Sequence, residues 1–495
     1  TVASLPSNKR QKTGLPPPCF YNDLYSSYRV EWEARKRKFP PSMEVSSLCF
    51  STVVEAASSD NGKVQDSPLL LVGMTNGSLA IFQQLGQQGQ SEEEVLEQQV
   101  ARGEGITDQD DSSSSSSNIT ESSGWRLVGS HQLCKRSLTF LHVSELSEKQ
   151  SVVLVGGVDG LWCWNSVSDL LIAASHQGNN KTQSSKSPKT NSSTCHYESL
   201  SIAKAQASDS DVFIYAPHRK LYQIGISSFI SSSGTRTTAD WKKELPLPDI
   251  QDGVGKGELD QMVASTKKVP AGLPDFEITA LHLTGTSLLV GTNQSKVHCW
   301  DIQKQAYSEP LDLSTLIING KNKLEGETTV RVTAISSVGP GDWWTIAGTS
   351  MVVSDESSSK SWTNRFRKNK AAGQKRRPVN FLGTWHGPSK SRTQLVSNIP
   401  ETIQGLMVAD SGKLYSIGNL ATLTVWESPF QLERLGRIGT NAKSNKAICC
   451  VMNGGLAVAG VGSKVDLVQS TVRLESLDLL QALESDPKGA GNSKI

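Results

Sequence analysis

Between residues 278 and 303 the chain reads ITALHLTGTSLLVGTNQSKVHCWDIQ, three short apolar segments separated by tight polar turns. Residues 278–283 alternate apolar and polar side chains, the period of a strand with one face buried. Gly285-Thr286 supplies the first turn, Leu288-Leu289-Val290 a second strand ending at Gly291, and residues 292–295 the second turn. Val297-His298-Cys299-Trp300 forms a third strand, closed by Asp301. An antiparallel unit of this size cannot bury its two faces alone, so it requires neighbours of its own kind.

Six weaker copies of the phrase supply those neighbours. They are LLLVGMTNGSLAIF (69–82), VVLVGGVDGLWCW (152–164), VFIYAPHRKLYQI (212–224), WWTIAGTSMVV (343–353), KLYSIGNLATLTVW (413–426) and GLAVAGVGSKVDLV (455–468). Each is an apolar run, a small residue (Gly73, Gly156, Ala216, Gly348, Gly418 or Gly460) read as a turn mark, a polar pair and another apolar run. Gly418 and Gly460 are 42 residues apart. Removing the polar insertions 84–124 and 176–194 brings the first two intervals close to the same spacing. A period of about 40–45 residues with Trp-Asp at a strand end is that of WD-repeat propellers. The expected fold is therefore all-β, a seven-bladed WD40-type β-propeller over residues 44–480. Its blade-signature residues are Phe82, Trp164, Trp300, Asp301, Trp343, Trp385, Trp426 and Asp466.

Several blades are irregular. Blade three is expected from 197–203, 212–215 and 221–226, with Trp241 in a last strand inside a polar insertion at 231–268. Blade five is expected from 331–336, 343–347 and 351–353, then, after an insertion at 354–378, from 379–385. Ser/Gln/Lys-rich insertions bury too little to order themselves and are expected to be disordered loops. Residues 1–43 are read as a basic arm followed by a short helix at 20–38, where Tyr21, Leu24, Tyr28 and Trp32 share a face. Residues 481–495 form a tail. The chain begins at Thr1 rather than Met. Its first 18 residues are polar and Pro-rich, which is no signal peptide.

Fifty basic and 48 acidic residues leave a net charge of +2, which gives no electrostatic footprint for nucleic acid over the whole chain. No apolar run reaches the 18 or so residues of a membrane span, and no membrane partner is expected. The eight cysteines contain no Cys-x-x-Cys pair and several fall in strands, as buried free thiols do. The Asn-x-Ser/Thr triplets at Asn76, Asn118, Asn180, Asn191 and Asn293 then carry no glycans. His131/Cys134 and His282/His298 lack structural-zinc spacing. There is no phosphate loop, nucleophile elbow or dinucleotide fingerprint. Catalytic residues, metal ligands, cofactors and a small-molecule substrate are accordingly not expected. One cluster stands out: Arg365, Arg367, Lys368, Lys370, Lys375, Arg376 and Arg377 lie within thirteen residues. It reads as a loop that serves nuclear import or contacts RNA phosphates, with a solvated loop as the plain alternative.

Four stretches resemble the THO complex subunit 6 family of WD-repeat proteins. They are LLLVGMTNGSLAIF (69–82), TAISSVGPGDWWTIAG followed by FLGTWHGPS (333–348 and 381–389), IQGLMVADSGKLYSIGNLATLTVW (403–426) and GGLAVAGVGSKVDLVQSTVRLESLDL (454–479). The long basic insertion, and Val468 where the family ends its phrase in Phe, depart from the pattern. The resemblance implies a nuclear, non-enzymatic scaffold of the THO/TREX machinery for mRNA processing and export, with coiled-coil THO subunits as partners. A substrate receptor of a cullin-type ubiquitin ligase is the alternative, but that role favours Trp-Asp-x-Arg, and Trp300-Asp301-Ile302-Gln303 ends in Gln. A propeller hydrolase would need carboxylates clustered at blade mouths, which the sequence lacks.

Overall fold

The computed structural model describes residues 44–52, 68–84, 124–147, 150–176, 194–230, 242–248, 276–314, 330–339, 341–354, 375–469 and 472–485. They form seven antiparallel sheets. Blade one comprises β1 (Val45–Ser51), β2 (Leu69–Met74), β3 (Ser78–Gln84) and β4 (Trp125–Gln132). Blade two has β5 (Leu138–Ser147), β6 (Gln150–Gly157), β7 (Gly160–Trp164), helix α1 (Val167–His176) and β8 (Thr194–Tyr197). Blade three has β9 (Lys204–Ala207), β10 (Asp211–Ala216), β11 (Lys220–Gly225), α2 (Ser227–Ile230) and β12 (Lys242–Leu245). Blade four has β13 (Ile278–Leu283), β14 (Ser287–Thr292) and β15 (Lys296–Asp301), edged by the fragments β16 (Ala306–Tyr307) and β17 (Leu311–Asp312).

Blade five has β18 (Val330–Val338), β19 (Trp343–Ser354), β20 (Lys375–His386) and β21 (Ser391–Ile399). Blade six has β22 (Ile403–Val408), β23 (Leu414–Gly418), β24 (Thr422–Trp426) and β25 (Arg434–Gly439). Blade seven has β26 (Asn445–Cys450), β27 (Gly455–Gly460), β28 (Lys464–Gln469) and β29 (Val472–Asp478), followed by α3 (Leu479–Ser485). The first strand of each blade touches the first strand of the next, and β26 returns to β1. The ring is closed: this is a seven-bladed β-propeller, as the repeats predict.

Second and third strands are the ones legible as apolar runs because they are covered on both sides by adjacent blades. Every residue of LLLVGM in β2, GLWCW in β7 and GLAVAG in β27 is buried. The first strands carry a shared device: a one-residue register irregularity near the start of β1, β5, β13, β18, β22 and β26. Such a bulge bends a strand and increases its twist.

Among the described residues all strands of a blade come from one consecutive stretch of chain, and no strand is shared between the first and last blades. Closure rests on side chains. Val45, Leu70, Val72 and Phe82 of blade one pack with Ala457, Ala459, Leu467 and Leu477 of blade seven and with Leu479 of α3. Lys446 Nζ also meets Glu44 Oε2 at 2.7 Å. A partly exposed pair of this kind adds at most about 1 kcal/mol, so the seam is held by its apolar cluster.

Four expectations need correction. The first strand of blade three is β9 and not 197–203, and Tyr197 instead ends β8, the outermost strand of blade two. Gly348 is not a turn mark but a mid-strand residue opposite Phe381, and 351–353 continue β19 rather than forming another strand. The insertion in blade five is bordered by strand on both sides: Ser354 pairs with Lys375, so Lys375, Arg376 and Arg377 belong to β20 and not to a loop. Helix α1 had no counterpart in the sequence reading. Its N-cap is Ser166, whose Oγ accepts the Asp169 N–H at 2.9 Å. Val167, Leu170 and Ala174 are its buried stripe. The segment 20–38, residues 85–123 and 177–193, Trp241, and Arg365, Arg367, Lys368 and Lys370 lie outside the described residues.

Candidate docking surface

Most signature residues are built into the ring. Phe82, Trp164, Trp300, Trp385 and Trp426 are all buried near the ends of third strands. Asp301 ends the third strand of blade four, and its Oδ1 accepts the backbone N–H groups of Gln303 and Lys304 at 3.0 and 2.9 Å. The Lys304 N–H and ammonium hold this carboxyl below the usual carboxylate range. Asp466 is fully buried. Trp343 is set differently from these tryptophans. It is only half-buried, and the neighbouring Trp344 takes the core position, its Nε1 donating to Gly341 O at 2.9 Å.

The titratable groups inside the ring join blades to one another. Nε2 of His282 in β13 accepts the Ser337 N–H of β18 at 3.0 Å and lies 2.8 Å from Ser337 Oγ. Burial pushes this imidazole down to about 4, from an ordinary value of 6.5. A His whose folded-state value is depressed is neutral in the fold, so its contribution is complete above pH 6.5 and is lost as pH falls toward 4. Acidification across that window is expected to cost wild type about 2–3 kcal/mol more than His282→Gln, which keeps an acceptor but cannot titrate. Urea unfolding of both proteins at pH 7 and pH 4.5 measures the difference, and equal losses would remove His282 as the cause. Glu401, between blades five and six, accepts Thr424 Oγ1 at 2.9 Å, and burial raises its carboxyl above the usual range. Among the described residues no group of three or more His, Cys, Asp or Glu is placed to hold a metal ion.

The alternation of strands gives the ring two faces. On the lower face lie the turns from first to second and from third to fourth strand; on the upper lie the others. Among the described residues, large apolar side chains left in solvent gather at the lower ends of the blades. Phe430 is 44% exposed in the turn between β24 and β25, and Leu435, Met452 and Leu474 follow on blades six and seven. The Phe430 ring stands edge-on to Trp343 of blade five, with centroids 5.3 Å apart and planes at 86°. Trp343 also meets His386, at 4.8 Å. The arrangement is anchored: Thr384 Oγ1 donates to Pro429 O at 2.6 Å, which fixes the turn just before Phe430 against blade five. Lys390 Nζ lies 4.9 Å above the Trp344 ring, a cation–π contact beside the patch.

The described end of the basic cluster, residues 375–377, lies toward the opposite face. β19 and β20 are each 12 residues long. Their ladder continues from Ser350–Val379 to Ser354–Lys375, past the level at which β23 and β27 turn. Lys375, Arg376 and Arg377 are therefore carried toward the upper face. The sequence reading missed the lower-face patch because Phe430 sits alone in a polar turn and only the fold brings Trp343 to it.

No protein-family model matches the chain, and no curated protein is similar to it in sequence. Among solved structures it is similar to the computationally designed Ika8 protein, with TM-score 0.41, 11% identity, and 86% of this chain and 96% of that one covered. It is also similar to the WD40 β-propeller domain of Doa1, with TM-score 0.42, 9% identity and coverages of 86% and 93%.

Proposed function

We propose that the chain is a non-enzymatic scaffold subunit of a nuclear THO/TREX-like complex in mRNA processing and export, and that the lower face of blades five to seven docks its coiled-coil partners. The observation that carries the scaffold reading is the Trp343–Phe430 pair, in which an exposed Phe430, its turn fixed by Thr384 and Pro429, stands against a half-buried Trp343. Exposed aromatics on a rigid frame are the usual anchors of protein interfaces. The choice of THO/TREX partners rests on the resemblance of 69–82, 333–348, 381–389, 403–426 and 454–479 to that family.

Affinity purification of the tagged full chain tests both parts. Coiled-coil THO subunits are expected with wild type and at least about thirtyfold less with Trp343→Ala/Phe430→Ala, the loss of roughly 2 kcal/mol or more that removal of interface anchors brings. Unchanged melting of the double variant would show that the ring is intact. Recovery of cullin adaptors in place of THO subunits would favour the ligase reading.

For the upper face the proposal is nuclear import. Lys375→Ala/Arg376→Ala/Arg377→Ala is expected to shift a fluorescent fusion from nucleus to cytoplasm. Retained nuclear signal with weaker, less salt-dependent RNA crosslinking would instead assign the cluster to RNA phosphates.

A further inference from the structure

Blade two holds a pair of cysteines that the sequence scatters. Cys163 lies on β7 and Cys195 on β8, with the helix α1 between them in the chain, and they are direct register partners in the antiparallel ladder. Both side chains pack into the same apolar cluster at the blade two–three junction, Cys163 within it and Cys195 at its margin, so they share one face of the sheet. Both are free thiols; Cys163 is buried and Cys195 is half-buried. The neighbouring register pair, Trp162 and His196, stacks its rings at 4.3 Å and 9°, which holds the two strands in this alignment.

Directly opposed residues in an antiparallel pair have Cβ atoms roughly 4.5–5.5 Å apart. A disulfide needs about 3.5–4.5 Å, a closing movement of about an ångström. Burial, and after it the neighbouring Cys195, pushes the Cys163 thiol up to about 12. Cys195, the less buried of the two, is therefore the one that reacts first.

We propose that Cys163 and Cys195 form a redox site, joined as a cross-strand disulfide by a small disulfide oxidant such as oxidised glutathione. The Cys195 thiolate attacks one sulfur of the oxidant, the oxidant's S–S bond breaks, and one glutathione thiolate leaves and takes up the Cys195 proton. Cys163 then attacks Cys195 Sγ, and its proton goes to the second departing glutathione. Two thiols are oxidised and one glutathione disulfide is reduced to two glutathiones. The product pins β8, a strand of four residues, to the body of its blade. It thereby fixes the end of the long connection that leaves β7 on the lower face.

The test uses the reduced full chain, treated with oxidised glutathione under native conditions, alkylated, digested with trypsin and read by mass spectrometry without reduction. The expected product is the tryptic peptide containing Cys163 linked to that containing Cys195, two hydrogens lighter than their sum. Its yield should be at least tenfold above that in Cys195→Ser and unchanged in Cys134→Ser. Glutathione remaining on Cys195 with Cys163 alkylated, linkage of either cysteine to a different one, or alkylation of both would each overturn the proposal. The wild-type digest alone decides the outcome, so a variant that folds poorly does not weaken the test.

Discussion

Trp300→Ala is expected to unfold at a markedly lower urea concentration than wild type, with a loss of roughly 3–5 kcal/mol. Trp300 is 3% exposed at the end of β15. It packs among Phe213, Tyr215, Leu221 and Leu245 of blade three and Leu288 and Val290 of its own blade. Tyr307 stands edge-on to it at 4.8 Å. Truncation to Ala opens a cavity between two blades whose backbones are tied into separate sheets and cannot collapse to fill it. The loss should come from packing alone, because the buried Nε1 of Trp300 has no acceptor. Trp426, the equivalent residue of blade six, donates its Nε1–H to Ser416 Oγ at 2.9 Å. The register explains the difference. Trp426 lies opposite Leu414 and Trp300 opposite Leu288, and two residues further along the strand blade six has Ser416 where blade four has Val290. Trp300→Phe should therefore cost about 1 kcal/mol less than Trp426→Phe, the worth of one buried hydrogen bond. A Trp300→Ala protein with an unchanged unfolding midpoint would refute the placement.

Asp466→Asn is expected to cost about 2–4 kcal/mol. The carboxylate is fully buried in β28 and accepts three hydrogen bonds. Oδ2 takes the Asn441 backbone N–H at 2.6 Å, and Oδ1 takes Asn441 Nδ2 at 2.6 Å and Ser476 Oγ at 2.5 Å. Asn441 belongs to the connection between blades six and seven and Ser476 to β29, so one side chain secures both the junction and the outer strand of the last blade. An amide in its place has a single acceptor oxygen and turns its own NH2 toward donors, which leaves a buried polar group without a partner. Equilibrium unfolding measures the loss. Proteolysis should also cut first near residues 440–444 in the variant; a wild-type midpoint and digestion pattern would show that the three bonds carry no net stability.

The aromatic patch and the blade-two cysteines show why the candidate sites were less legible than the fold. Phe430 reads as one apolar residue in a polar turn, and Trp343 as a strand residue indistinguishable from Trp344. Which of the two tryptophans faces solvent depends on the pairing of β19 with β20, where Trp344 lies opposite Trp385 and Trp343 opposite His386. Cys163 and Cys195 are separated by a helix and an insertion, and no spacing rule would have paired them. The basic cluster was visible as charge, but its last three residues were read as loop because Lys and Arg are poor strand signals. They are in β20 because β19 offers a ladder to complete.

The same physical difference divides the fold. Segments such as LLLVGM, GLWCW and GLAVAG carry their own signal, because a strand covered on both sides by neighbouring blades must be apolar at every position. Their repetition, with short polar turns between them, determined the architecture and the number of blades from sequence alone. The outer strands have one face or edge in water and take their conformation from the strand they pair with. SRTQLVSNI of β21, mostly exposed along its first half, and RLGRIG of β25 gave no period to read. Tertiary structure alone decided that 194–197 completes blade two, that α1 covers the junction of blades one and two, and that, among the described residues, the ring closes through side chains with no shared strand. In each case the deciding energy is contact between segments far apart in the chain, which no local pattern of residues records.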